Sequence, residues 1–261
     1  MKHTLSALAA AAALVVAAPA SATIASGATG NGDLFFTIWD PVANKGYVRD
    51  LNVLQNDFEP TDAIAKAGGA GLSFGADSIL TAFLAEIGSA NFGRLLWNVG
   101  AGETSGGDRV YTTGPAGITA TTKGNVEGSS SNIANWLGAG GVNGFLPSGT
   151  DSARIDASTS PSAFPGSSSA GANFGGALGF SNATAGLDTE SLFYFLTAPS
   201  LGDSGLAGTV TLYEGEWSLS SNGLLAYAVE PVVGEVPEPG TWALMVAGLL
   251  GLGAVARRRA K

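Results

Sequence analysis

The sequence predicts a mostly β protein, organised as a single β-sandwich or jelly-roll-like domain with one or two short helices. Three observations lead to this prediction. Short apolar segments of alternating character recur along the chain, and turn-forming residues separate them. The 261 residues include 39 glycines, a composition that favours short strands and many turns. Residues 23–233 are also enough for one domain with a substantial core.

The predicted strands form hairpins at both ends of this domain. Residues 33–39 and 47–53 form the first hairpin, around a proline-containing turn. At the other end, residues 217–220 and 224–229 flank Asn222-Gly223, a dipeptide that readily adopts the positive φ angles of a tight turn. Further strands are predicted at residues 95–99, 109–113, 191–197 and 209–213.

Helix is predicted in two places. Asp77 or Ser78 caps the first helix, and Gly88 ends it. Five apolar residues between these ends fall on one helical face, namely Ile79, Leu80, Phe83, Leu84 and Ile87. A second, shorter helix is predicted at residues 132–137, around Trp136. We expect the first helix to cover one end of the core.

The chain between residues 100 and 186 has fewer large apolar residues than its flanks. Several serine- and glycine-rich stretches occur there, such as residues 129–131 and 166–171. Such stretches favour turns and irregular backbone. We expect this part of the chain to form surface loops.

The residue types that are missing exclude several kinds of chemistry. The chain has no cysteine, and its only histidine is His3, within the predicted signal peptide. This excludes Ser-His-Asp and Cys-His catalysis, zinc sites built on His or Cys, haem, iron–sulfur and blue-copper sites, and disulfides in the rest of the chain. The net charge of −9 argues against a nucleic-acid partner, which needs a basic face. We expect no cofactor and no enzymatic activity.

The first 22 residues have the pattern of a secretory signal peptide. A basic start precedes the apolar residues 5–18, and Ala20 and Ala22 form an A-x-A cleavage site. We therefore expect the mature chain to begin at Thr23, outside the cytoplasm.

The last 28 residues, 234–261, have the pattern of a sorting tag. Prolines keep the first part extended and accessible to a protease. The apolar run that follows has 16 residues, short of the about 20 that span a bilayer, so it spans the membrane only marginally. The basic end should stay in the cytoplasm. The three parts are Pro237, Glu238 and Pro239, then residues 241–256, then Arg257, Arg258 and Arg259.

This segment resembles the PEP-CTERM sorting signal of Gram-negative bacteria that make extracellular polysaccharide. Residues 32–51 are also similar to the opening strands of other PEP-CTERM proteins with uncharacterised bodies. The resemblance implies processing by an exosortase at the inner membrane, followed by delivery to the outer surface or the extracellular matrix. The charge pattern also fits a permanent anchor, with the body in the periplasm.

Glu214, Glu216 and Trp217 are candidate carbohydrate contacts, and a second acidic pair has a similar arrangement. Glu214 and Glu216 precede Trp217, and an indole beside carboxylates is typical of sugar-binding surfaces. Residues two apart on a strand point the same way and lie roughly 7 Å apart, a spacing compatible with a glycosidase pair. Asp188 and Glu190 have the same spacing. The interpretation that we favour for both pairs is a strand edge that is protected by charge.

A third acidic group surrounds Pro60. Its members, Asp57, Glu59 and Asp62, have oxygens that suit calcium, but their spacing matches no calcium-binding loop. A solvated turn is the interpretation that we favour.

Together these patterns predict an exported, non-enzymatic protein with a structural or adhesive role in an exopolysaccharide matrix or biofilm. The first alternative is a carbohydrate-binding or carbohydrate-cleaving module that uses tryptophan and carboxylates. The second is a periplasmic domain with a permanent membrane anchor. The first alternative predicts that Trp97, Trp136 or Trp217 is exposed beside acids in a groove, whereas a structural role predicts buried tryptophans.

Overall fold

The computed structural model describes residues 23–58, 71–105 and 107–229. Within these residues the chain forms ten strands and two α-helices. The strands are β1 (Asp33–Asp40), β2 (Lys45–Leu54), β3 (Leu72–Phe74), β4 (Leu96–Glu103), β5 (Arg109–Gly114), β6 (Ser152–Arg154), β7 (Thr184–Ala185), β8 (Thr189–Thr197), β9 (Thr209–Leu219) and β10 (Leu225–Ala228). The helices are α1 (Ser78–Ile87) and α2 (Lys123–Leu137).

All of these strands belong to one sheet. Their order is β3-β10-β9-β8-β5-β4-β1-β2-β6, and β7 pairs with β4. Each pairing is antiparallel. The mostly β prediction is confirmed, but one curled sheet takes the place of the expected two-sheet sandwich or jelly roll. The sequence pattern could not separate the two, because a short apolar strand does not show whether a second sheet or helices and loops cover its faces.

β1 lies near the middle of the sheet and is buried on both faces. Leu34, Phe36 and Ile38 point into one apolar cluster, which we call the first core. Phe35 and Trp39 point into a second cluster on the opposite face, the second core. This alternation follows from the pleat of a strand, in which successive side chains point to opposite faces. The sheet therefore separates two cores that share the same strands.

α1 covers the first core, as predicted. Asp77 is its N-cap, and its Oδ1 accepts from the backbone N–H of Leu80 at 2.7 Å. The other carboxylate oxygen accepts from the Tyr47 hydroxyl at 2.6 Å, which ties the start of the helix to β2. Gly88 ends the helix with a positive φ of 75°. The buried face of the helix consists of Leu80, Phe83, Leu84 and Ile87.

α2 covers the second core and begins nine residues before the helix predicted at residues 132–137. Thr122 is the N-cap, and its side chain accepts from the backbone N–H of Asn125. Gly128 and the serines at 129–131 are weak helix formers, and the serines were expected to lie in a loop, but all four belong to the helix. Tertiary packing overrides that preference, because Val126, Ile133 and Trp136 are buried against the sheet.

The connection between α2 and β7 is mostly irregular, as expected, yet it contributes to the core. It contains only β6 as a named strand, and its backbone turns repeatedly. Phe164, Phe174 and Leu178 from this connection are buried in the second core. The ring of Phe174 meets that of Phe35 edge-on at 6.2 Å between centroids. Burial of these three side chains therefore fixes a long, mostly polar connection against the sheet.

One ion pair has a fully buried anion at the end of β1. Both oxygens of Asp40 accept from Arg94, with 2.6 Å between Nη2 and Oδ2. Oδ1 also accepts from the backbone N–H groups of Val42 and Ala43 in the following turn. Burial alone would raise the pKa of Asp40, but Arg94 and these N–H groups outweigh burial and lower it.

No helix among the described residues is long and apolar enough to cross a membrane. The predicted sorting helix at residues 241–256 and the predicted signal peptide at residues 1–22 lie outside the described residues.

Candidate functional site

The three tryptophans that were proposed for a sugar site are buried. Trp97 and Trp217 are fully buried, and Trp136 is 3% exposed. The ring N–H of Trp97 donates to the carbonyl of Gly186, and that of Trp136 to the carbonyl of Ala163, each at 3.0 Å. A sugar ring stacks only on an accessible aromatic face, and these side chains do not offer one. This is the arrangement that a structural role predicts.

The candidate carbohydrate contact of Glu214, Glu216 and Trp217 lies on β9, but its members point to opposite faces of the sheet. Trp217 points into the first core, where it contacts the rings of other aromatic residues. Glu214 and Glu216 lie on the other face, where Glu214 is exposed and Glu216 is half-buried. The indole and the two carboxylates therefore do not form one surface, although they are close in sequence.

A bulge in β9 interrupts its pairing with β8 at residues 213–215, so that Glu214 lies in the bulge and Glu216 lies just beyond it. Leu192 of β8 pairs with Glu216, but Tyr194, two residues on, pairs with Leu212, four residues back along β9. The sequence pattern predicts two strands in this stretch, at residues 209–213 and 217–220. β9 is in fact one strand with a bulge around Gly215.

A cleft of about 400 Å³ opens beside Glu216. Residues 114–116, at the end of β5, form one wall, and Ser181, Ala183 and Thr184 at β7 form another. Residues 190–192 at the start of β8 and Glu216 of β9 complete the lining. We call this feature the acidic cleft. Its volume lies within the range of about 300–1,000 Å³ that is typical of small-molecule sites.

The sheet register brings Glu190 and Glu216 together in the acidic cleft. Glu190 pairs with Ser218, and Glu216 pairs with Leu192, so the two glutamates are diagonal neighbours on adjacent strands. Diagonal neighbours on one face of an antiparallel pair lie about 7–8 Å apart. Each glutamate had been grouped in the sequence with the acid two residues before it. The site contains one member of each predicted pair.

Hydrogen bonds fix the walls of the acidic cleft. The hydroxyl of Tyr194 donates to the carbonyl of Pro115 at 2.7 Å, and that of Thr113 to the carbonyl of Asn182 at 2.7 Å. At Gly114, an added Cβ would lie 2.9 Å from the Ile118 side chain, which shows how tightly this wall is packed. The cleft is therefore formed by the fold itself.

The remaining acidic candidates have structural positions. Asp188 accepts from the backbone N–H of Ser221 at 2.8 Å and has a positive φ of 57°, as in a turn. Asp57 belongs to the 3-10 helix Gln55–Phe58, whereas Glu59 and Asp62 lie outside the described residues. In the described part of the chain, no group of three or more His, Cys, Asp or Glu side chains could hold a metal ion.

A second set of carboxylates lies at the far end of β1 and β2. Burial raises the pKa of Asp50 to about 7, with a backbone N–H from Asn52 opposing the effect and Asp33 and Asp151 adding to it. Asp33 also has a raised pKa, caused by burial and opposed by a hydrogen bond from the Ala25 N–H. These carboxylates are far apart along the chain, so no local sequence pattern points to the group.

The predicted processing residues lie outside the described residues. They are Ala20 and Ala22 at the signal cleavage site, and Pro237, Glu238, Pro239, Arg257, Arg258 and Arg259 in the sorting segment.

Comparison with known proteins identifies one feature of the chain. The family model of the PEP-CTERM protein-sorting motif matches residues 235–259. No curated protein and no solved structure matches the chain. The C-terminal segment is therefore a PEP-CTERM sorting motif, and this supports an exported protein that is sorted through an exosortase.

Proposed function

We propose that the protein is a non-enzymatic component of the outer surface or the extracellular matrix, with a structural or adhesive role in exopolysaccharide or biofilm. An exosortase would recognise the C-terminal segment at the inner membrane and remove it. The match of the PEP-CTERM sorting motif to residues 235–259 carries this proposal.

The described part of the chain is consistent with a structural role. Its tryptophans are buried, and its sheet is packed on both faces by apolar side chains. The chain contains no cysteine. Its stability outside the cytoplasm therefore depends on packing and does not depend on the redox state of its surroundings.

Processing is tested by expressing the chain in matched hosts with and without an exosortase, and by measuring intact mass and cell fraction. We expect loss of the mass C-terminal to the Pro-Glu-Pro turn, and release from the inner membrane, only where the exosortase is present. The double variant Pro237→Ala/Pro239→Ala should remain unprocessed, whereas Pro231→Ala should be processed normally. An uncut chain in the inner membrane of both hosts would instead support the permanent anchor.

The structural role is tested in a strain that lacks the gene for this protein. We expect wild-type protein to restore the mass of surface-attached biofilm, and the unprocessed proline variant to fail at equal expression. Because the variant keeps residues 23–229 intact, this comparison isolates the effect of location. Equal biofilm with and without the protein would contradict the proposal.

A second candidate function is carbohydrate binding, and the acidic cleft favours it. Glu190 and Glu216 line one cavity, which provides carboxylates without an exposed tryptophan. Binding without cleavage is the form that we propose. Release of reducing ends from the polysaccharide of the producing strain would instead indicate a glycosidase, and its loss in Glu216→Gln would assign that activity to the cleft.

A further inference from the structure

We infer that the predicted signal peptide has to be removed before residues 23–32 dock on the body of the protein, because docking closes the cleavage site after Ala22. We call residues 23–32 the N-terminal strap. The PEP-CTERM motif supports export, and the A-x-A pattern marks where the signal peptide is cut. This first processing step is independent of the matrix role and of an exosortase.

Ile24 fastens the start of the N-terminal strap to the second core. Its side chain is 1% exposed and belongs to that cluster. The side-chain amide of Asn143 forms two hydrogen bonds with the Ile24 backbone. The Ile24 N–H donates to Oδ1 at 2.9 Å, and Nδ2 donates to the Ile24 carbonyl at 3.0 Å. Asn143 thus pairs with Ile24 much as a neighbouring strand would, and both backbone polar groups of Ile24 have partners.

The rest of the N-terminal strap is held against β1 and β4. The N–H of Ala25 donates to Oδ2 of Asp33 at 2.8 Å, and the N–H of Asp33 donates to the Ala25 carbonyl at 2.9 Å. The carbonyl of Gly27 accepts from the N–H of Thr104, just after β4, at 3.1 Å. An added Cβ at Gly27 would lie 1.8 Å from the carbonyl oxygen of Gly102, so the two backbones are in direct contact. The strap is therefore part of the folded body from its second residue onward.

Docking of the N-terminal strap places the cleavage site next to a buried anchor. Only Thr23, which is exposed, lies between the bond after Ala22 and Ile24. A protease cuts exposed, locally unfolded chain, and it binds residues on both sides of the bond. A peptidase at this bond would compete with Asn143 for the Ile24 backbone and would withdraw the Ile24 side chain from the second core. Lost burial and lost hydrogen bonds both oppose this withdrawal, so cleavage is fast before docking and slow after it.

The test uses the full chain, folded in a neutral detergent, and purified signal peptidase. Intact mass follows the loss of residues 1–22 with time. A peptide of residues 1–32 is the reference substrate, because it lacks the second core on which the strap docks. We expect the folded chain to be cut at least about tenfold more slowly than the peptide, since its strap is undocked for only a small fraction of the time. A peptide that is not cut after Ala22 would overturn the inference, because docking would then have no site to close.

Variants of the body test whether docking causes the slow cleavage. Asn143→Ala removes both hydrogen bonds to Ile24 and leaves residues 1–32 unchanged, and we expect the folded variant to be cut at least about fivefold faster than wild type. Asn135→Ala, at an exposed asparagine of α2, is the matched control and should be cut at the wild-type rate. Phe83→Ala weakens the first core, which does not contain Ile24, and should also keep the wild-type rate. Far-UV circular dichroism checks that each variant is folded.

An insertion moves the cleavage site away from the anchor and keeps the strap docked. Six residues, Gly-Ser-Gly-Ser-Gly-Ser, are placed between Thr23 and Ile24. Ala20 and Ala22 then keep their places at the cut, while the chain gains about 20 Å of reach. We expect this folded variant to be cut nearly as fast as the peptide. Resistance equal to that of wild type, or equal rates for wild type and Asn143→Ala, would overturn the inference, because docking of Ile24 would then not control access to the site.

Discussion

At the scale of single residues, the most unusual group is the carboxyl of Asp50. Its side chain is 3% exposed, and Oδ1 accepts from the Asn52 N–H at 2.8 Å. Burial is the main reason why its pKa rises to about 7, and Asp33 and Asp151 add to the effect. A carboxyl in an unfolded chain has a pKa of about 3.9. The folded state therefore binds this proton more tightly than the unfolded state does.

This difference predicts that the pH dependence of stability changes in Asp50→Asn. Below pH about 4, Asp50 is protonated in both states and no stability is lost through its ionisation. As the pH rises through about 7, ionisation of the buried carboxyl lowers the free energy of unfolding. The lost contribution amounts to at most about 4 kcal/mol. Urea unfolding of wild type and Asp50→Asn at pH 5 and pH 8 measures it. We expect the variant to gain stability relative to wild type at pH 8, whereas Asp203→Asn, at an exposed acid, should follow wild type at both pH values.

The ion pair of Asp40 and Arg94 gives a second prediction at this scale. Arg94→Met leaves the fully buried carboxylate of Asp40 without its cation, and we expect the free energy of unfolding to fall by about 3 kcal/mol. Lys45→Met breaks the exposed pair with Glu86 and should cost less than about 1 kcal/mol. Chemical denaturation at one pH compares the two variants. Equal losses would mean that burial of Asp40 does not determine the strength of its pairing.

At the scale of elements, the bulge of β9 depends on a residue without a side chain. At Gly215, an added Cβ would lie 2.5 Å from Cζ of Tyr227 and 2.9 Å from the carbonyl of Ala228. Tyr227 is buried in the first core and cannot move away without opening a gap. Glycine therefore lets β10 approach the bulge.

We expect Gly215→Ala to lower the free energy of unfolding by about 1–3 kcal/mol, because the added methyl group overpacks a filled site. Gly205→Ala is the control, since nothing lies within 4 Å of its added Cβ. Thermal unfolding followed by circular dichroism measures both. A melting temperature for Gly215→Ala equal to that of Gly205→Ala would show that the strands separate easily at this point.

Local signals in the sequence were sufficient for most elements of the fold. The alternation of residues 33–39 and 47–53 predicted the hairpin of β1 and β2, and Asp77 and Gly88 predicted both ends of α1. The start of α2 was missed, because its first turns are stabilised by burial of Val126 and not by propensity. The single sheet was missed for a similar reason, since pairing between distant strands leaves no local pattern.

The candidate site could be predicted only in part. Glu190 and Glu216 were both noted as acidic candidates, but the sequence could not show that β8 and β9 place them diagonally across one cleft. Aligning the two predicted strands side by side could have revealed the pair, because each strand has a glutamate near the same end. The bulge in β9 shifts the register between Leu192 and Tyr194, and no local sequence pattern marks it.

At the scale of the whole described domain, one sheet serves two cores. β1 supplies Phe36 to the first core and Phe35 to the second, and β4 supplies Trp97 to the first. On the outer faces, Phe83 of α1 belongs to the first core and Ile133 of α2 to the second. A strand cannot lose its order on one face and keep it on the other. We infer that the described residues 23–58, 71–105 and 107–229 unfold as one cooperative unit.

This inference predicts that damage to either core shifts one common transition. Phe83→Ala and Ile133→Ala should each lower the free energy of unfolding by about 3 kcal/mol, through lost packing and a residual cavity. Urea unfolding is followed by far-UV circular dichroism and by tryptophan fluorescence, which reports on Trp97 and Trp217 in the first core and on Trp39 and Trp136 in the second. Both signals should shift together in both variants, whereas Leu201→Ala, at a side chain that is 83% exposed, should leave them unchanged. Two separated transitions in either core variant would contradict the inference, because they would show that one face of the sheet holds its structure after the other has lost it.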